Sequence, residues 1–127
     1  MILSVPHPAD TKRVRFRDVK ASDVPFLFSA LSNPEVVRYT SIRIKTMEDA
    51  QRQWEMYAQA EAAQTGKFWM METYVGVALG VMGIYYFKAE HRRAELGYWI
   101  DQPYWKQGLM REALPPVLAA VSNAGLI

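Results

Sequence analysis

Tyr98-Trp99-Ile100-Asp101-Gln102-Pro103-Tyr104-Trp105-Lys106-Gln107-Gly108-Leu109-Met110-Arg111-Glu112-Ala113-Leu114 carries the most legible chemistry of this chain. An apolar strand end leads into a short turn with Pro103, and Gly108 stands at the opening of a helix. The first N–H groups of a helix have no partner inside it, and the helix dipole adds partial positive charge there. Glycine at that point lets a ligand approach the main chain closely. Strand end, turn and helix start together suit a phosphate or pyrophosphate.

Other chemistries are poorly served. The chain has no cysteine, which excludes disulfides, zinc-thiolate sites and a thiol nucleophile. No Gly-x-Ser-x-Gly elbow or Ser/His pairing is present. His7 and His91 fall in lead-in and turn segments, with no carboxylate at triad or metal spacing, and read as surface residues. No metal site is expected.

The elements that must position the turn follow from periodicity and caps. Arg13 to Val19 alternates, with Val14 and Phe16 on one face and Arg15 and Arg17 on the other, as a first strand with one buried side. Lys12, Arg13, Arg15 and Arg17 allow a nucleic-acid reading or an edge strand with solvated arginines. The net charge of only +2 favours the second. Ser22 or Asp23 caps a helix to about Leu31, with Val24, Leu27, Phe28 and Leu31 on its apolar face. Asn33-Pro34 opens a second short helix. Thr46 and Asp49 form a capping box for a third, carrying Met47, Ala50, Trp54, Tyr57 and Ala58 and ending near Gly66. Strands follow at Lys67–Tyr74, Leu79–Phe87 and Ala94–Ile100, with turns at Gly76 and over Lys88–Arg92. Gly80 and Gly83, inside a strand, mark a bulge or a close main-chain approach. The last helix runs from Gly108 towards Asn123, interrupted or kinked by Pro115-Pro116, and Gly125-Leu126-Ile127 begins a further strand.

The 127 residues, half of them apolar, suit one domain with a real core. No apolar run approaches the roughly 20 residues of a membrane-spanning helix. Met1 to Lys12 lacks a secretion-signal pattern. A cytoplasmic protein without nucleic-acid or membrane partners is the expectation. Strands in a meander with helices between and after them predict an α+β fold, a mainly antiparallel sheet with helices packed on it.

This pattern resembles the GNAT superfamily of acetyl-CoA-dependent N-acetyltransferases, and within it the branch that acetylates ribosomal-protein N-termini. The resemblance is carried by Arg15-Phe16-Arg17 with Asp23, by Asn33-Pro34-Glu35-Val36, and above all by Glu95-Leu96-Gly97-Tyr98-Trp99-Ile100 followed by Pro103, Trp105, Gly108, Glu112 and Ala113. It covers nearly the whole chain from about Val14. The superfamily motif Gln/Arg-x-x-Gly-x-Gly/Ala reads here as Trp105-Lys106-Gln107-Gly108-Leu109-Met110, with Lys106 where glycine is common and Met110 where a small residue is common. The resemblance implies a mixed sheet with helices on both faces. It also implies three more strands and a helix than this chain has, which supply part of the substrate pocket. The chain is then either a single incomplete domain, residues 1–127, or one completed by a partner, as in a homodimer or a swapped assembly.

The resemblance further implies that main-chain N–H groups of Lys106, Gln107, Gly108, Leu109 and Met110, with Trp105, hold the pyrophosphate of acetyl-CoA. Trp99 and Ile100 would pair with its pantetheine arm, and a nearby N–H would stabilise the developing oxyanion, a contribution of about 3 kcal/mol in other enzymes. A protonated amine needs a base before it attacks. Glu95 is the first candidate, or else a strand residue paired with Arg92 or Arg93. Glu72 is a weaker one. Tyr98 is a proton donor or a core residue, and Glu112 stabilises its helix end. The function implied is acetyl transfer by direct attack of a primary amine, of a protein N-terminus or a small molecule. The alternatives are a non-catalytic CoA-binding or assembly module and an inactive fragment.

Overall fold

The structure, a computed structural model, describes residues 5–88 and 93–124. Four strands, β1 (Arg15–Asp18), β2 (Lys67–Glu72), β3 (Ala78–Lys88) and β4 (Arg93–Ile100), form one sheet in the order β1-β2-β3-β4, each neighbour antiparallel. Between β1 and β2 lie the helices α1 (Val24–Leu31), α2 (Pro34–Val37) and α3 (Met47–Ala62), and α4 (Leu109–Asn123) follows β4. The expected α+β architecture is present. The expected strand at 125–127, His91 and most of the expected 88–92 turn lie outside the described residues.

The expected Ser22 or Asp23 cap of α1 is not made, because the Asp23 carboxylate instead accepts from the Lys20 N–H at 2.7 Å and from Arg17. Local chemistry does explain the starts of α2 and α3. The Asn33 side chain accepts from the Glu35 N–H at 3.0 Å, and Pro34 occupies the first helical position. Thr46 accepts from the Asp49 N–H at 3.1 Å while Asp49 accepts from the Thr46 N–H at 3.1 Å. These reciprocal bonds close the capping box of α3.

Helices cover both faces of the sheet. On one face Val14, Phe16, Trp69, Met71, Met82, Ile84 and Ile100 pack with Leu109, Ala113, Val117 and Val121 of α4. On the other Phe68, Met70, Val81 and Trp99 pack with Leu27, Leu31, Ala50 and Tyr57 of α1 and α3. This double cover is why β2 is apolar at consecutive positions instead of alternating.

Two expectations are corrected. The arginines of β1 are not simply solvated. Arg15 and Arg17 each bond the carboxylate of Glu72 at 2.8 Å, and Arg17 also holds Asp23 at 2.8 Å. Glu72 is 4% exposed. Burial pushes its carboxyl up, but the hydrogen bonds and charges of Arg17 and then Arg15 prevail and hold it below the usual range. With its oxygens so occupied, Glu72 is no general base. Secondly, α4 is not interrupted at Pro115-Pro116. Pro115 is exposed and Pro116 half-exposed, so the missing N–H bonds fall on the outer side of the helix, where water can serve the carbonyls. The inner stripe of Leu109, Ala113, Val117, Ala120 and Val121 stays buried throughout.

Candidate functional site

The turn after β4 is built by its own side chains and main chain. Asp101 accepts from the Gln102 N–H at 3.0 Å, and a single 3-10 turn runs over Gln102–Tyr104. The Trp105 N–H closes it onto the Gln102 carbonyl at 3.1 Å. The Trp105 indole donates to the Ile100 carbonyl at 2.7 Å, tying the turn to the strand end. Lys106 then has φ 64° and Gly108 φ 74°, two left-handed residues on either side of Gln107. The first helical bond of α4 runs from the Glu112 N–H to the Gly108 carbonyl. The six N–H groups of residues 106 to 111 consequently meet no acceptor among the described residues. Such a succession of free main-chain donors at a helix start is an anion-binding concavity.

Lys106 explains its own oddity. A left-handed conformation costs an L-residue about 1–2 kcal/mol, and glycine escapes that cost. Lys106→Gly is therefore expected to stabilise the chain by ~0.5–1 kcal/mol, net of the greater freedom glycine has when unfolded. A urea titration checks this, and a lowered midpoint would contradict strain at this position.

The turn is also held from outside. The Glu112 carboxylate accepts from the Thr11 hydroxyl, from the Arg13 N–H at 2.8 Å and from Arg13 Nε at 2.7 Å. Arg13 Nη1 donates to the Gln107 carbonyl at 2.9 Å. The Thr11 hydroxyl first, and then the Arg13 N–H and guanidinium, draw the Glu112 carboxyl down to about 2. Glu112 does more than stabilise a helix end: it fastens α4 to the lead of β1. Neither Thr11 nor Arg13 stands out in the sequence as part of this site, because each lies about 100 residues from its partner.

A groove of about 1310 Å³ runs from the turn along β4 as far as Leu96. Leu96 to Ile100 form its floor, Tyr39, Gln53, Met56 and Tyr57 part of one wall, and Tyr104, Trp105, Lys106 and Gly108 its end at the turn. β4 pairs only with β3 among the described residues, so its other edge is free. The Asp101 N–H donates to the Leu79 carbonyl at 2.9 Å, which turns the Asp101 main chain inward. Main-chain direction alternates along a strand. Trp99, Gly97 and Glu95 thus also face β3, while Ile100, Tyr98 and Leu96 face the free edge. The Ile100 carbonyl there is taken by Trp105. The groups left for an extended amide-bearing ligand are those of Leu96 and Tyr98 and the Ile100 N–H.

The predicted residues sort accordingly. The Trp99 main chain is turned away from the edge where the resemblance placed it. Its indole is buried, stacked 5.7 Å from Phe26, and donates to the Tyr57 hydroxyl at 3.2 Å. Leu109 is buried under the turn, and the half-buried Met110 packs its side chain against the α4 core, leaving its N–H free. Lys106, Gln107 and Gly108 are exposed. Glu95 is exposed and makes no hydrogen bond or ion pair among the described residues; Arg93 does not pair with it, and Arg92 lies outside them. Glu95 and Tyr98 are three residues apart on a strand, so their side chains project from opposite faces of the sheet. The structure does not bring them together. Tyr98 is 53% exposed and so is not core. His7 is exposed and bonded to the Phe16 carbonyl at 2.6 Å. No helix among the described residues is long and apolar enough to cross a membrane.

Comparison with known proteins agrees with this geometry. The model of the acetyltransferase (GNAT) domain matches residues 13–126. The chain is 28% identical over 112 residues to a Bacillus subtilis (strain 168) protein described as uncharacterized N-acetyltransferase YoaA, covering 87% of this chain and 63% of that one. It thus spans less than two thirds of that curated relative. Among solved structures it is similar to the Salmonella typhimurium acetyltransferase that modifies the N-terminal serine of ribosomal protein L7/L12, with TM-score 0.79, 17% identity, and 92% of this chain and 68% of that one covered. It is also similar to the Vibrio cholerae spermidine N-acetyltransferase solved with CoA and spermine, with TM-score 0.74, 15% identity, and 86% and 63% covered. At those identities the structures speak for the fold, whereas the domain model spans most of the sequence: the chain belongs to the GNAT acetyltransferase domain family.

Proposed function

We propose that this chain carries the cofactor-binding half of an N-acetyltransferase that moves an acetyl group from acetyl-CoA to a primary amine, of a protein N-terminus or a small molecule. The observation that carries this reading is the run of six N–H groups at residues 106–111 that meet no acceptor among the described residues, set at the end of a strand that pairs on one edge only among those residues. The donors of Lys106 to Met110 suit the diphosphate, and the exposed Lys106 ammonium adds charge. Leu96, Tyr98 and Ile100 offer main-chain groups to the pantetheine arm, and the Trp105 indole fixes the strand end beside it. Bound there, acetyl-CoA supplies the activated acyl group.

The residues of the chain do the rest. An outward N–H of β4 donates to the acyl oxygen as negative charge grows on it. Glu95, exposed and without an ion-pair partner among the described residues, takes the proton of the amine directly or through water. Tyr98, on the other face, donates to the departing sulfur. The free edge of β4 is completed by further strands, its own or a second copy's, and a homodimer in the cytoplasm is the proposed setting.

Incubation with acetyl-CoA and a panel of N-terminal peptides and small amines tests the reading, with free thiol as the readout and calorimetry with CoA beside it. Thiol release that depends on an amine supports transfer. Binding of CoA without turnover by any amine selects the binding-module alternative, and a folded sample that does neither overturns both.

A further inference from the structure

We infer that Arg13 is a positioning residue for the anion turn: it sets the orientation of the peptide between Gln107 and Gly108. This rests on the proposed function for its purpose, but its geometry stands apart from it. A trans peptide is planar, with its C=O and N–H pointing in opposite directions. Arg13 Nη1 holds the Gln107 carbonyl at 2.9 Å, so the Gly108 N–H of the same peptide points away from Arg13. That N–H is one of the six without an acceptor.

The Gln107–Gly108 unit is the one most in need of such a hold. It is exposed, it follows a left-handed lysine, and it ends in a left-handed glycine. Glycine populates both signs of φ, so nothing in its own conformation prevents the peptide from turning over. Turned over, the Gln107 carbonyl would face the bound anion and the Gly108 N–H would leave it. The guanidinium opposes this twice, by the hydrogen bond and by neutralising the carbonyl's negative end.

Arg13 is itself anchored. Its Nε bonds Glu112 at 2.7 Å, and its own N–H bonds the other oxygen of that carboxylate at 2.8 Å. Both partners of Arg13 belong to the site: the carbonyl lies in the turn and the carboxylate in the first turn of α4. A planar fork can reach both at once, whereas an ammonium cannot.

Three variants, Arg13→Gln, Arg13→Lys and Glu112→Gln, test this in the full chain. In the ligand-free protein the Gly108 amide resonance is expected to be sharp for the wild type and to shift and broaden in Arg13→Gln. An unchanged Gly108 resonance overturns the inference. Calorimetry is expected to show about tenfold weaker binding of both CoA and 3′-dephospho-CoA to Arg13→Gln. Arg13→Lys should regain the thermal stability lost in Arg13→Gln without regaining affinity, and Glu112→Gln should fall between. Loss for CoA alone would mean that Arg13 contacts the 3′-phosphate directly, and loss of stability with affinity intact would mean a structural role; either overturns the proposal. Should the wild type fail to bind CoA, the proposed function fails, and the Gly108 resonance still decides the role of Arg13.

Discussion

Replacing Glu72 by glutamine is expected to lower the unfolding free energy by about 3 kcal/mol, the lower end of the cost of unpairing a buried ion. Glu72 is 4% exposed and binds two guanidinium groups. Glutamine keeps the volume but offers one acceptor and an NH2 that would face a cation. Arg15 is about half exposed and can turn to water. Arg17 is only 24% exposed and keeps Asp23 as its one carboxylate, beside the Asp18 carbonyl, so most of the cost falls there. The pH dependence separates charge from shape. Glu72 titrates below its ordinary range when folded, so its contribution is complete above the unfolded pKa and is lost as pH falls through the folded one. The gap between wild type and Glu72→Gln in urea midpoints must therefore narrow as pH drops below about 4.3, the usual glutamate value. A gap that stays constant into acid would assign the loss to packing.

The same network shows where sequence reading stops. Alternation along Arg13–Val19 places Val14 and Phe16 inward correctly, because period two is a local property of a strand. It says nothing about what faces Arg15 and Arg17. That depends on the register Arg15↔Glu72, a pairing across 57 residues and three helices. The caps of α2 and α3 behave in the opposite way. Asn33-Pro34 and Thr46 with Asp49 close their bonds within four residues, so sequence suffices to locate the starts of α2 and α3. Pro115-Pro116 misleads for a third reason. Intrinsic cost is read from the residue, while the compensation comes from a stripe packed on a sheet that the local sequence does not contain.

In the candidate site the split is similar. Gly108 at a helix opening is legible as a point where a ligand can approach the main chain; its left-handed φ of 74° emerges only from the structure. Lys106 at φ 64° is not legible, since nothing in its type signals that conformation. The residues of β4 are legible as a strand, but which of them turn their main chain outward depends on the phase of hydrogen bonding with β3. That phase keeps the Ile100 N–H at the available edge and puts Tyr98 and Leu96 there in place of Trp99.

Gly80→Ala should show how closely the site depends on the seating of β3 against β4. A Cβ at Gly80 would lie 2.2 Å from the Trp99 carbonyl oxygen and 2.8 Å from the Ile100 Cα. Both atoms are main chain, so no rotamer change relieves the clash, and β4 must move away. The expected loss is about 3 kcal/mol, at the upper end of overpacking penalties. The displaced segment is the one whose Ile100 carbonyl anchors Trp105, and through it the anion turn. Affinity for CoA is therefore expected to fall together with stability, in whatever fraction remains folded. Gly76→Ala supplies the contrast. Its φ is 84°, and a Cβ there meets nothing within 4 Å. It should cost only the ~1 kcal/mol of a left-handed L-residue, with CoA binding unchanged. Equal urea midpoints for the two variants would mean that β3 and β4 are not seated as closely as the register Gly80↔Ile100 requires. A stable Gly80→Ala protein with full CoA affinity would detach the anion turn from the strand that is argued to hold it.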